Sequence, residues 1–340
     1  GHEIAWAQFE LSVTSSVERN EVPSIYHPLT CQERNNKLLV QGEEFQVEFD
    51  LVYGTLDSWS YRGINLLEEG AKLQLWRALI DNDHRSAAEW KQYGLHWLQH
   101  RVDGVEWQQE AGDKVVITSS LRIAPPILFW GIRVTYTYTI HSNGELSIDV
   151  KGCPEGNGPS TFPRIGLQMK LPVYLDDVSW YGQGPGEAYS DSRQANRIGV
   201  YTKKVEELYT PYIYPQENGN RHEVRWVSLT NSGGMGFVAA GEPTLDFSAH
   251  YYTTENLDQA QHTYDLIKQD FITFNLDHQQ HGLGSASCGP DVTEPYRLEN
   301  KDFQFAVHLK PFSTDENSQV EISKSLRAKH SKKESSIPVV

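Results

Sequence analysis

The segment 214–226, YPQENGNRHEVRW, holds more ionic and hydrogen-bonding side chains than any other short stretch of the chain. Charges of opposite sign alternate along it and aromatic residues stand at its ends: Glu217, Arg221, Glu223, Arg225, Tyr214 and Trp226. The planar guanidinium of arginine forms paired hydrogen bonds, so this interleaving indicates a built network. We interpret the segment as a buried or half-buried salt-bridge network that holds loops together, because such networks form without any chemistry.

Two carboxylates stand two residues apart in the segment 76–83, WRALIDND. If Asp81 and Asp83 lay on a strand, they would share a face, with Cα atoms about 6.6 Å apart. Two carboxyl groups about 5–5.5 Å apart are the arrangement of a retaining glycosidase. The alternative, which we favour, is a turn in which Asp and Asn side chains cap backbone amides.

The glycine-rich segment 181–193, YGQGPGEAYSDSR, places Glu187 and Asp191 on either side of Tyr189. Its glycines predict a constrained loop that could present a carboxylate or let a ligand approach the backbone. Arg193 is expected to keep either acid ionised, which suits hydrogen bonds to sugar hydroxyls but not general acid catalysis. The residues leave two functions open, a structural clamp and a sugar-contacting loop.

The segment 277–290, DHQQHGLGSASCGP, combines acid, imidazole and thiol groups before and within a glycine-rich loop. Asp277, His278 and His281 are ligand types for several divalent ions, but no further ligands with a recognisable spacing accompany them. We therefore predict no metal site. The spacing supplies no base for Cys288 as a nucleophile, and most free cysteines pack as small apolar residues.

Composition limits the class of protein. The formal charge of −15 argues against nucleic acids and anionic membranes as partners, because both require a cationic surface. The chain has no apolar run long enough for a transmembrane helix, and its first residues show no secretion signal. Three widely spaced cysteines give neither a disulfide framework nor a metal-binding pair, so we expect a reducing, cytoplasmic compartment.

Alternation of apolar and polar residues at period two dominates the chain and predicts strands. The clearest runs are Phe45–Val52, Lys114–Ser120, Ile132–Ile140, Glu145–Val150, Phe271–Leu276 and Phe303–Leu309. Ser142-Asn143-Gly144 predicts a hairpin turn between two of them. Only Ala87–Leu98 has a weak helical pattern. We predict an all-β fold in which two large antiparallel sheets pack face to face.

The two ends of the chain differ from its body. Ile4–Val13 is strand-like and uncapped, which predicts that residues 1–13 are the last strand of a preceding domain. Residues 14–312 are predicted to form the main domain. Residues 313–340 are rich in Ser, Lys and Glu and are predicted to be a flexible tail without a packed role.

These four segments, in this order, resemble the C-terminal (fifth, small-chain type) domain of the large β-galactosidases of glycoside hydrolase family 2. The matching motifs are WRALIDND at 76–83, GPGEAYSDSR at 184–193 and YTPYIYPQENGNR at 209–221. The opening GHEIAWAQFEL is similar to the final strand of the family's preceding immunoglobulin-like domain. The loop GLGSASCGP resembles the evolved-β-galactosidase branch, and Cys288 stands where the best-known enterobacterial relative has a tryptophan that stacks on the sugar.

The resemblance implies a large antiparallel supersandwich similar to galactose mutarotase, which closes one side of an active site in a neighbouring (β/α)₈ barrel. The catalytic glutamates, and the Mg²⁺ and monovalent cation of the parent enzyme, would lie on other domains, so we expect no cofactor in this chain. A rim of loops would meet the β-galactoside: Ser287, Cys288, His281, Glu187 and Tyr189. The remaining motif residues would form a structural network: Arg77, Asp81, Asp83, Arg193, Glu217, Arg221, Arg225 and Trp226.

Two other functions remain open. A stand-alone aldose mutarotase or epimerase needs a carboxylate and an imidazole at opposite ends of the ring oxygen–C1 unit. Glu217 with His222, or Asp277 with His281, could supply such a pair. A non-catalytic galactoside-binding module would instead bind sugar without turnover. The upstream domains of an oligomeric parent enzyme are the partners that the family resemblance implies.

Overall fold

The computed structural model describes residues 2–9, 11 and 28–334 of the chain. Ten strands form its first half: β1 (Thr30–Arg34), β2 (Lys37–Gln41), β3 (Phe45–Asp50), β4 (Thr55–Tyr61), β5 (Ile64–Asn65), β6 (Glu69–Gln74), β7 (Gln99–Glu110), β8 (Lys114–Ala124), β9 (Gly131–His141) and β10 (Leu146–Glu155). Nine follow: β11 (Arg164–Pro172), β12 (Asp177–Gly184), β13 (Arg197–Lys204), β14 (Arg221–Val224), β15 (Trp226–Thr230), β16 (Met235–Gly241), β17 (Leu245–His250), β18 (Phe271–Gln280) and β19 (Phe303–Ser313).

The first three helices have at most nine residues and lie in connections between strands, whereas the fourth follows the last strand. They are α1 (His84–Gln92), α2 (Val205–Leu208), α3 (Thr254–Gln259) and α4 (Gln319–Glu334), with 3₁₀ turns at Asp81–Asp83, Leu95–Trp97, Thr263–Asp265 and Glu294–Tyr296. Within the described ranges, none of these helices has the length and apolarity needed to cross a membrane. The predicted helical run Ala87–Leu98 is confirmed in part, since α1 ends at Gln92 and a 3₁₀ turn follows.

Every strand pair is antiparallel. Strands β1 to β5 form a meander, nine strands form the order β13-β12-β15-β16-β19-β10-β9-β8-β7, and five form the order β14-β17-β18-β11-β6. All six predicted strand runs fall on observed strands. The predicted turn at Ser142–Gly144 joins β9 to β10, and Gly144 has φ 82°, a value that glycine adopts without strain. The all-β prediction is therefore confirmed.

The core lies between the nine-stranded sheet and a second layer made of both five-stranded sheets. Tyr136 and Tyr138 are two apart on β9 and so share one face. The Tyr136 hydroxyl accepts the backbone N–H of Leu73 on β6 at 2.8 Å. The Tyr138 ring lies 5.0 Å from the ring of Phe49 on β3. One face of the large sheet is therefore covered by both smaller sheets, which gives the predicted sandwich.

The outer face of the nine-stranded sheet carries α4. Ile322 and Leu326, one helical turn apart, are buried against Trp226, Val238 and Phe312. The prediction that residues 313–340 have no packed role is therefore wrong for Ile322 and Leu326. The composition misled because two correctly spaced apolar residues are enough to dock a helix whose side chains are mostly polar.

The N-terminal residues 2–9 form no strand in the structure. The side-chain amide of Gln8 instead donates to the carbonyl of Ile198 and accepts its N–H, both at 2.8 Å, at the edge of β13. The assignment of residues 1–13 to a preceding domain stays a prediction, and residues 1, 10, 12 and 13 lie outside the described ranges.

Candidate functional site

The second face of the sheet β14-β17-β18-β11-β6 is polar, although it is largely buried. On β18, Phe274 and Leu276 point into the sandwich core, so Asn275 and Asp277 point to the other side. The strand register places Asp246 of β17 beside Asp277. Because loops cover this face, its polar side chains must find partners within the protein.

Arg164 occupies one end of this face and lies against two acids. Its Nη2 donates to Oδ2 of Asp277 at 2.6 Å, and its Nη1 lies 3.8 Å from Oε2 of Glu217. Burial opposes the charge on Arg164, but the two carboxylates outweigh it and raise the pKa of Arg164. Burial raises the pKa of Asp277 to about 6 against the opposing effect of Arg164. The hydroxyl of Tyr189 also donates to Glu217, at 3.5 Å.

Asp277 requires glycine on the neighbouring strand. A Cβ added to Gly166 of β11 would lie 1.9 Å from Oδ1 of Asp277. The carboxylate therefore packs directly against the backbone of the adjacent strand, where any side chain would displace it. The Arg164–Asp277 pair is a feature of the sheet itself, and the loops above it rest on a fixed base.

Arg77 joins the segment 76–83 to the glycine-rich loop after β18. Its guanidinium donates to both carboxylate oxygens of Asp83, at 2.7 and 3.3 Å. The same group donates to the carbonyl of His281 at 2.7 Å. Arg77 and Asp83 are both almost fully buried, so the pair is shielded from water and fixes the position at which the loop begins.

Two further side chains hold the loop Gly282–Pro290, which we name the rim loop. Asp191 accepts the N–H groups of Leu283 and Gly284 at 2.9 and 2.8 Å. Asn82 donates to the carbonyl of Gly284 at 2.8 Å and accepts from the N–H of Ser287 at 3.0 Å. The rim loop is thus fixed by residues from two distant segments of the chain. Its shape is set before any ligand arrives.

The segment 181–193 serves mainly as a clamp. Glu187 accepts the N–H of Gly219 at 2.8 Å and a hydrogen bond from the Tyr212 hydroxyl. Arg221 donates to the carbonyl of Gly219 at 2.6 Å, and its guanidinium lies 5.3 Å from the Trp180 ring centroid. Burial lowers the pKa of Arg221 to about 10. The sequence left two functions open for this segment, a structural clamp and a sugar-contacting loop. These contacts favour the structural clamp.

Of the eight residues assigned to a structural network, Arg77, Asp83, Glu217 and Arg221 make the buried contacts described above, and the other four lie apart from those contacts. Arg193 donates to Glu223 at 2.8 Å and not to Glu187 or Asp191. Arg225 donates to the carbonyl of Glu223 at 2.6 Å and lies over Tyr181 at the surface. Trp226 lies in the separate apolar cluster under α4. Side chains alternate across β14 and β15, so neighbours in sequence separate in space.

Asp81 also lies outside the network. Asp81–Asp83 is a 3₁₀ turn in which Asp83 accepts the N–H of Ile80 at 3.2 Å and Asp81 is exposed. The alternative of a strand with Asp81 and Asp83 on one face is therefore wrong. The capping turn that we favoured is confirmed.

The five predicted rim residues fall into two groups. Ser287 and Cys288 are exposed on the rim loop, and Glu187 is half-buried. Tyr189 and His281 are each only 3% exposed and hold the loops from below. Nδ1 of His281 accepts the N–H of Leu298 at 3.1 Å, and burial, assisted by Arg77, lowers the pKa of His281 to about 4. His281 is therefore neutral at neutral pH.

Neither acid–imidazole pair considered for a mutarotase is assembled. His222 hydrogen-bonds Asp246 at 2.8 Å, whereas Glu217 lies against Arg164. Asp277 is likewise bound by Arg164. No group of three or more His, Cys, Asp or Glu residues within the described ranges is arranged to hold a metal ion.

Sequence reasoning missed Arg164, the residue that organises the polar face. It lies 113 residues from Asp277, and no spacing rule connects them. It also missed Asn82 as a partner of the rim loop, 205 residues before Ser287. One feature of the sequence could have revealed Arg164, because it is an arginine at the start of an alternating strand. A cation at such a buried position needs a partner of opposite charge.

Comparison with known proteins defines the class. The family model described as beta galactosidase small chain matches residues 41–309, so the chain belongs to this family. The β-galactosidase of Priestia megaterium is 31% identical over 92% of this chain, and that of Kluyveromyces lactis is 31% identical over 91%. In both cases the chain spans only 30% of the relative's length. The chain therefore matches one part of each of these longer relatives.

Solved structures give weaker likenesses. The galactose 1-epimerase from Lactobacillus acidophilus aligns over 84% of this chain and 98% of its own, at a TM-score of 0.43 and 8% identity. A putative mutarotase from Salmonella typhimurium aligns over 84% and 94%, at 0.43 and 11%. Likeness at this level supports no conclusion about the activity of this chain.

Proposed function

We propose that the chain is the C-terminal domain of a retaining β-galactosidase and that it forms one wall of an active site whose catalytic carboxylates lie on an upstream domain. The observation that carries this proposal is the state of the buried acids. Asp83, Glu217 and Asp277 each lie against an arginine and away from solvent. Such acids can fix loops, but they cannot reach and protonate a glycosidic oxygen.

The rim loop supports the proposal that this domain forms one wall of the active site. It is tied down at Leu283, Gly284 and Ser287, while the side chains of Ser287 and Cys288 remain exposed. A loop that is rigid in its backbone and open at its tip is suited to limit the size of the aglycone and to exclude water from a neighbouring chamber. The substrates would be terminal β-D-galactosides such as lactose.

The partners and cofactors of the parent enzyme follow as parts of this proposal. The upstream domains would supply the barrel, and the Mg²⁺ and monovalent cation sites would lie there. The parent would be an oligomer. A cytoplasmic location is consistent with Cys31, Cys153 and Cys288 being free thiols.

The test is turnover by the purified chain. With an aryl β-galactoside that releases a chromophore, we expect hydrolysis at the uncatalysed rate, with folding checked by circular dichroism. Joining the chain to the upstream part of its own enzyme should give hydrolysis with retention of the anomeric configuration. Robust turnover by the chain alone would overturn the proposal.

A further inference from the structure

A cleft of about 400 Å³ opens on the same polar face as the Arg164 network, away from the rim loop. Its walls come from β6, β11, α3 and the 3₁₀ turn Leu95–Trp97, and its lining includes no rim-loop residue. We name it the Trp97 cleft. Its volume falls within the range of small-molecule sites, about 300–1,000 Å³.

One wall of the cleft is aromatic. Trp97 is 66% exposed, whereas Trp59, Trp90 and Trp180 are at most 1% exposed. The ring of His96 lies 4.6 Å from that of Trp97 and 5.5 Å from that of Trp76, so three rings follow one another into the cleft. An exposed indole beside a concavity offers a flat apolar face, as stacking on a sugar ring requires.

The opposite wall is polar and almost balanced in charge. Glu255, Asp258 and Gln168 supply oxygen and amide groups. Glu69 is bound by Lys72 and Lys170 at 2.6 and 2.5 Å, which neutralises it within the wall. Such a lining does not select an anion or a cation, but it suits hydroxyl groups, which both donate and accept hydrogen bonds.

We infer that the Trp97 cleft binds a neutral saccharide, one to two sugar units long, with one apolar ring face on Trp97 and its hydroxyls on the opposite wall. The inference does not depend on the proposed hydrolysis, because the cleft shares no residue with the rim loop. It gives the domain a binding site of its own for carbohydrate.

The experiment is titration of the 340-residue chain with galactose and lactose, followed by calorimetry and by tryptophan fluorescence. We expect saturable binding that Trp97→Ala weakens about tenfold or more, since it removes the stacking face. Glu255→Gln should weaken it about threefold, since an amide accepts hydrogen bonds less well than a carboxylate. The matched control is Tyr53→Ala, an aromatic residue that is 71% exposed on the turn between β3 and β4. It should leave binding unchanged.

Two results would overturn the inference. One is the absence of saturable binding by the folded chain at sugar concentrations up to about 100 mM, which corresponds to an interaction weaker than about 1.4 kcal/mol. The other is binding that survives Trp97→Ala but is lost with Cys288→Ala, because the rim loop would then be the binding site. Circular dichroism of each variant separates a loss of binding from a loss of folding.

Discussion

The two ends of one polar sheet face differ in how their polar groups are used. At the Arg164 end, acids and cations are matched inside the protein, and loops cover them. At the Trp97 end, an aromatic ring stays exposed beside a cleft. The comparison shows that the same sheet can fix a loop at one end and leave a surface for a ligand at the other.

The largest expected effect on stability is at the Arg164 end of the sheet face. Arg164→Ala leaves Asp277 buried without its cation, so the free energy of unfolding should fall by about 3–5 kcal/mol. Chemical denaturation followed by circular dichroism measures it. The control is Arg193→Ala, whose side chain is 38% exposed and pairs with Glu223, and which should cost less than about 1 kcal/mol. Equal losses in the two variants would contradict the comparison.

The pH dependence of stability tests the buried His250 of β17. Burial lowers the pKa of His250 from 6.5 to about 4. Between these two pH values, His250 is neutral in the native state but protonated in the unfolded chain. Stability that is complete above pH 6.5 is lost as the pH falls toward 4, by about 1.4 kcal/mol per unit. His250→Gln, which keeps a donor for the carbonyl of Asn218, should reduce the slope there by about that amount, while the buried His281 keeps its own contribution.

His222 provides a control of opposite sign. Burial lowers its pKa, but the hydrogen bond and charge of Asp246 outweigh burial and raise the pKa of His222 above 6.5. Its stabilisation is therefore complete below pH 6.5 and is lost as the pH rises through the folded-state pKa. His222→Gln should therefore lower the free energy of unfolding most below pH 6.5 and remove the fall in stability between pH 6.5 and the folded-state pKa. A loss of stability that is larger at alkaline than at acid pH would contradict the assignment.

The close packing of Asp277 predicts a smaller effect. Gly166→Ala places a methyl group in contact with the Asp277 carboxylate and should lower the free energy of unfolding by about 1–3 kcal/mol. Gly104→Ala, where an added Cβ meets nothing within 4 Å, is the matched control. Thermal unfolding of the two variants measures the difference, and identical midpoints would rule out the packing argument.

The rim loop should respond locally. Asp191→Ala removes the acceptor of the Leu283 and Gly284 amides, so their hydrogen exchange should speed up about tenfold, as expected for the loss of roughly 1.4 kcal/mol of charge-assisted hydrogen bonding. Asp81→Ala, an exposed acid outside the network, should leave both amides unchanged. Unchanged exchange in Asp191→Ala would show that the loop is held by other contacts.

The smallest effect on stability is expected at the Trp97 end of the sheet face. Trp97→Ala should alter the free energy of unfolding by no more than about 0.5 kcal/mol, because the side chain is 66% exposed. Denaturation measured beside Arg164→Ala gives the contrast directly. A large loss would mean that Trp97 is part of the fold and would weaken the case for a ligand.

The sequence by itself determined the strands and the family. Alternation along Ile132–Ile140 or Phe303–Leu309 is a local property, since it depends only on which face each residue must bury. The capping turn at Asp81–Asp83 was equally readable, because Asp and Asn bond to backbone within a few residues. Four ordered motifs placed the chain among the β-galactosidase small chains, to which residues 41–309 match.

Only the tertiary structure decided which charges meet. Arg164 finds Asp277 across 113 residues, while Arg193 and Glu187, only six positions apart, bind other partners. The helix α4 docks through Ile322 and Leu326 on a patch formed by distant strands. Sheet pairing sets these contacts, and it brings together residues whose separation along the chain carries no signal. The physical reason is that burial requires each charge to find the nearest partner in space, whatever its position in sequence.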